Sequence, residues 1–114
     1  MNSNITRLRA RQGATFGYSG TITLPGTPTW TPSLVLPFGQ TSYTMATATL
    51  TFLQINAQNS AMKDYTLTLA APATDTASWP NKCVRTSLEL TSNDTPPNVV
   101  VSDDFEIDIA AASP

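Results

Sequence analysis

Chemistry in this chain of 114 residues has few side chains to start from: six Lys and Arg, eight Asp and Glu, one cysteine and no histidine. Without histidine there is no Ser-His-Asp or Cys-His nucleophile and no imidazole metal ligand. Cys83 has no second cysteine to pair with and no histidine to lower its pKa, so it is expected to be a small buried hydrophobe. Ser60 and Ser78 with Lys63 and Lys82 are the remaining nucleophile–base combination. Both lysines fall in polar, turn-like stretches where they stay solvated and protonated, so no such pair is expected. Asp104, Glu106 and Asp108 recur at every second residue. Calcium wants six to eight oxygens, but a strand spreads such a triplet over roughly 13 Å. Paired carboxylates also hydrolyse glycosides, given a cleft that nothing in the sequence supplies. The expectation is a solvated acidic face, with no metal, no cofactor and no catalysis.

Arg7, Arg9 and Arg11 show the same two-residue spacing. Three cations and three carboxylates match as facing rows of an antiparallel pair. Ile5–Arg11 is therefore expected to pair with Phe105–Ile109, within one subunit or across to a neighbour, and these six side chains become candidate partner contacts. A net charge of −2 and a pI near 4.7 argue against a nucleic-acid surface. Trp30, set among prolines and threonines, is a candidate exposed aromatic, either at an interface or as a sugar-stacking platform. Trp79 is expected to plug the core near Phe16 or Tyr65. Asn4-Ile5-Thr6 and Asn93-Asp94-Thr95 match glycosylation sequons, but Met1–Asn4 lacks the basic head and apolar stretch of a secretory signal. No apolar run is long enough to span a membrane.

The elements that must position these groups are strands. Charged residues make up only 12% of the chain, while threonine and serine abound; this is a β composition. Phe16, Tyr18, Gly20, Ile22 and Leu24 alternate with small polar residues, the period-two signature of a half-buried strand. Pro28, Pro32 and Pro37 demote Trp30–Leu36 to a short edge strand or an extended loop. Thr41–Ile55 alternates through Ala46, Ala48, Leu50 and Phe52, and a bulge near Phe52-Leu53 would bring Leu53 and Ile55 inside as well. Further strands are expected at Tyr65–Leu69, Val84–Leu90 and Val99–Ile109, and one helical turn at 74–79, capped by Thr74 or Asp75 and stopped by Pro80. The sum is an all-β, antiparallel β-sandwich, Ig-like or jelly-roll-like. Residues 1–11 form an N-terminal arm or edge strand, and residues 12–114 a single domain.

Three segments resemble one family. Arg9-Ala10-Arg11-Gln12-Gly13-Ala14-Thr15-Phe16 is similar to an opening R-x-G-D-T-F strand. Leu67 to Pro80 resembles an L-T-x-x-x-T-x-x-W-P segment, and Ser102-Asp103-Asp104-Phe105-Glu106-Ile107 a closing S-x-x-F-x-I strand. The family is the small β-sandwich of tailed-phage virion proteins, similar to the N-terminal domain of baseplate upper proteins. The resemblance implies a non-enzymatic structural protein located in the virion. Such a protein would be a homo-oligomer that contacts other virion proteins and neither nucleic acid nor membrane. A free-standing sandwich ending at Pro114 suits a capsid decoration or cement protein bound to the major capsid protein. The alternatives are a tail, baseplate or fibre-adaptor protein, and a carbohydrate-binding module that uses Trp30.

Overall fold

Alternation does produce the strands, and their pairing sorts them into two layers. The structure, a computed structural model, describes residues 6–112. Along the chain run β1 (Arg7–Arg11), β2 (Phe16–Pro25), β3 (Trp30–Phe38), β4 (Thr41–Thr44), β5 (Thr47–Ile55), β6 (Met62–Ala71), α1 (Ala73–Thr76), β7 (Cys83–Thr86), β8 (Leu88–Ser92), β9 (Val99–Val101) and β10 (Phe105–Ala110). One layer is a three-stranded antiparallel sheet ordered β2-β6-β5. The other consists of β1-β10-β7 and β4-β3-β8-β9. These two are joined because β7 runs almost directly into β8, and the Thr86 hydroxyl donates to the Val35 carbonyl at 2.7 Å.

One core lies between the layers. Phe16, Leu67, Leu69 and Ala71 from the first layer meet Leu34, Leu36, Leu88, Ile107 and Ile109 from the second. Each buried aliphatic or aromatic side chain contributes roughly 1.5–3 kcal/mol through loss of water contact, so this core is the main source of stability. The all-β sandwich with one short helical turn is what the alternation predicts.

Several details differ from the sequence expectations. β3 is an interior strand, not an edge or a loop. Residues 30–34 form their ladder with β8 and residues 35–38 theirs with β4, so Pro32 and Pro37 each have a side with no ladder to break. The last strand is split. Ser102 accepts from the Leu88 N–H with its hydroxyl and donates its own N–H to the Leu88 carbonyl, where the chain leaves β9, paired with β8, for β10, paired with β1 and β7. As a result Val99 and Val101 are exposed while Ile107 and Ile109 are buried. The N-cap of α1 is Pro72, with no side-chain cap. Asp75 instead accepts a 2.6 Å hydrogen bond from the Tyr43 hydroxyl.

Candidate interaction surfaces

The arginine and carboxylate rows do come together, but in the opposite sense to that expected. β1 pairs with β10 in parallel, not antiparallel, with Arg7 beside Glu106, Arg9 beside Asp108 and Arg11 beside Ala110. Two-residue spacing puts the side chains on one face whichever way the strand runs, so the spacing alone could not set direction. In the parallel sense Asp104 has no place in the ladder. It precedes β10 and, with Asp103, Tyr18, Ile22 and Phe105, lines a cleft of about 270 Å³ between the layers. Of the expected arm or edge strand at 1–11, residues 7–11 form the edge strand β1, while residues 1–5, with Ile5 of the expected pairing and Asn4 of the sequon, lie outside the described residues.

Glu106 is the centre of this face. Its carboxylate accepts from Arg7 at 2.9 and 3.2 Å and from Arg85 at 3.3 Å, bridging β1, β10 and β7 in a single row. The Arg7 hydrogen bond is the main reason why the Glu106 carboxyl sits below its ordinary range; partial burial works against it and Arg85 adds to it. Both arginine side chains are more than half exposed, at 57% and 55%. Exposed pairs of this kind contribute little to stability; their consequence is a fixed, patterned charge on the outside of the sheet. Cys83 is on this sheet too and is exposed, not buried. Partial loss of hydration, then the neighbouring Glu106 carboxylate, raise its thiol pKa.

The two tryptophans are both interior. Trp30 is 8% exposed and its indole N–H donates to the Pro25 carbonyl at 3.2 Å. It offers no open face to a sugar or a partner, which corrects its candidacy as an interface residue. The aromatic is covered because its side of β3 faces the core, where Trp30 is one of the buried cluster. Trp79 is the core plug expected, 1% exposed, with ring centroids 5.8 Å from Phe16, 6.3 Å from Phe38 and 5.2 Å from Tyr43. Tyr65, the other expected neighbour, instead meets Phe52 at 6.3 Å.

Around Trp79 the chain ties itself together. Gly13, at φ +80°, closes the turn in which the Ala14 N–H reaches the Arg11 carbonyl. This left-handed conformation favours glycine. It lets the Gln12 amide donate to the Trp79 carbonyl at 2.6 Å and the Ala14 carbonyl accept from the Thr76 hydroxyl at 2.8 Å. The Tyr43 phenol at this end is pushed up to about 12, by burial first and by the hydrogen bond and charge of Asp75 next.

Two further features escaped the sequence reading. Asp64 is 7% exposed on the outer face of β6 and accepts from Thr23 at 2.7 Å, Gln54 at 2.8 Å and Asn56 at 2.9 Å. Those three donors hold its carboxyl below the usual range. The second is apolar: Phe52, Leu53 and Ile55 are 53–57% exposed on β5. The bulge expected at Phe52-Leu53 is present, between Phe52 and Gln54, but it does not bring these residues inside. A visible signal was the absence of any charged residue from Gln12 to Met62.

The chain matches no family model and no curated protein sequence.

Proposed function

We propose that this chain is a non-enzymatic structural protein of a tailed-phage virion, acting on the capsid as a decoration or cement protein. One observation supports the reading most. Two of the three segments that carry the family resemblance, Arg9–Phe16 and Leu67–Pro80, meet at one end of the sandwich although distant in sequence, and the third runs into the strand that pairs with β1. Phe16 packs on Trp79, Gln12 bonds to the Trp79 carbonyl, and β1 pairs with β10. Motifs that jointly build one core are what a shared fold requires. The proposed mechanism is surface complementarity repeated by symmetry. A rigid sandwich presents a patterned charge on the β1-β10-β7 face, and the major capsid protein supplies the opposing surface. Charge placed this way governs register and choice of partner more than affinity.

A second reading, a tail, baseplate or fibre-adaptor protein, is favoured by the resemblance to the baseplate family itself. Copy number separates the two. Quantitative gel analysis of purified particles should give hundreds of copies per particle for a capsid protein and a small multiple of three or six for a tail protein. Absence of the chain from purified particles would overturn both.

A further inference from the structure

Among the described residues, β5 is a long strand bonded on one side only. Natural sheets blunt an open edge with lysine, proline, shortness, a bulge or a cover; β5 has only a bulge, between Phe52 and Gln54 towards its C-terminal end. Most other edges carry such devices: β1 bears three arginines, β4 and β9 are four and three residues long, and β7 is four residues with Arg85. β2 is likewise long and uncharged, but Gly17 and Gly20 leave it without side chains to pack at two positions, and it ends at Pro25. β5 is nine residues, Thr47-Ala-Thr-Leu-Thr-Phe-Leu-Gln-Ile55, with neither proline nor charge. Its neighbours in the sheet add to this. On the outer face the cross-strand rows are Ser19–Thr68–Thr49 and Thr21–Thr66–Thr51, all small hydroxylated side chains. On the other face Phe52 and Ile55 are left more than half exposed beside Tyr65 and Lys63.

We infer that β5 is the interface for a second copy of this chain, the two β5 edges pairing antiparallel about a two-fold axis at Leu50. The occupant follows from the chemistry of the edge. β5 itself has no charge to offer a charged partner, the Lys63 ammonium of β6 being turned onto the Phe52 ring at 5.6 Å from its centroid, whereas a second copy brings an equally uncharged strand. An antiparallel edge is also self-complementary under a two-fold. With the axis at Leu50, Phe52 of each copy lies across from Ala48 of the other, the largest side chain on that face opposite the smallest. Thr49 then lies across from Thr51, a favourable cross-strand pair. The product is a continuous six-stranded sheet, β2-β6-β5 extended through its symmetry mate. A standard stable interface takes about 800 Å² from each partner, roughly 11% of this molecule's 7101 Å² surface. The ladder from Ala48 to Phe52 supplies part of that, and the exposed Phe52, Leu53 and Ile55 side chains adjoin it. The bulge after Phe52 ends the regular edge and so restricts the register, and the two-fold contact closes at a pair. This inference is independent of the virion reading.

Sedimentation across a concentration series tests it. The mass of the native chain should rise from 12.2 kDa towards twice that value as concentration increases. The double variant Thr49→Lys with Thr51→Lys places like charges opposite one another twice, and should weaken association by about tenfold or more, less so in high salt. The variant Thr49→Lys with Thr51→Glu places opposite charges at those two pairs, and should associate at least as well as the native chain. Both substituted residues, Thr49 and Thr51, are exposed, and circular dichroism should report the same fold for each protein. A native chain that stays at 12.2 kDa throughout overturns the inference. So does a mass that continues past the dimer, or equal association of the two double variants.

Discussion

Trp79→Ala is the substitution whose effect follows most directly from the packing. The indole is 1% exposed and fills the space between Phe16, Phe38 and Tyr43. Truncating a buried aromatic removes its transfer free energy and leaves a cavity, at a cost of about 3–5 kcal/mol. The entropy of unfolding is roughly 2.1 cal/mol/K per residue, so in a chain of this length each kcal/mol moves the melting temperature by about 4 °C. The expected fall is therefore about 12–20 °C, and it consumes a large part of a typical ~5–15 kcal/mol total. A second variant isolates the polar end of the ring. The Trp79 indole N–H is buried with no hydrogen-bond partner, and leaving such a donor unsatisfied costs roughly 1–3 kcal/mol. Trp79→Phe keeps a ring in the site and removes that donor, so it should lose less than half as much as Trp79→Ala. Denaturant unfolding followed by far-ultraviolet circular dichroism measures both. If Trp79→Ala melts within a few degrees of the native chain, or if Trp79→Phe is the more damaging of the two, the core-plug account fails.

The acid limb of stability should depend on Glu106 and Asp64. Both carboxyls are held below their ordinary range in the folded chain, by Arg7 and by Asn56, Gln54 and Thr23 respectively. Each contribution is present above the unfolded carboxylate value of about 4 and is lost as pH falls through the lower folded value. Glu106→Gln and Asp64→Asn should therefore differ from the native chain at neutral pH and converge with it in strong acid, as read by denaturant midpoints across a pH series. At the alkaline end, one tyrosine should ionise only near pH 12, and ultraviolet titration should lose that component in Tyr43→Phe. Its raised value means a contribution intact below pH 10 and lost as pH rises through about 12. Cys83 is exposed with a raised thiol pKa. It should accept one equivalent of an alkylating reagent without unfolding, slowly at neutral pH and faster as pH climbs. Labelling seen only in denaturant would contradict its placement on the open face of β7.

Local pattern settled a good deal. Alternation at Phe16–Leu24 and Tyr65–Leu69 announced strands, the paired Leu67 and Leu69 announced the core face, and Pro80 closed the turn that delivers Trp79. These were legible because a period of two is a property of a single strand and needs no knowledge of its neighbours. What depended on neighbours was not legible. The arginine and carboxylate rows were matched by spacing and expected to run antiparallel, yet β1 runs parallel to β10; side chains alternate identically in either sense. Trp30 looked exposed because its prolines argued for an edge, and only the half-and-half pairing of β3 with β8 and β4 reconciled those prolines with an interior position. Phe52, Leu53, Ile55, Val99 and Val101 looked like core because they are apolar. Whether an apolar face is covered is decided by which strand lies at the edge of a sheet and how far the opposite layer extends. Asp64 shows the reverse case, a charged residue buried because three amide and hydroxyl donors from β2, β5 and the turn after β5 converge on it. Sequence thus determined which residues form strands and which side of each strand is apolar. Tertiary structure decided order, direction and cover, because these arise from pairings between segments as far apart as Arg7 and Glu106.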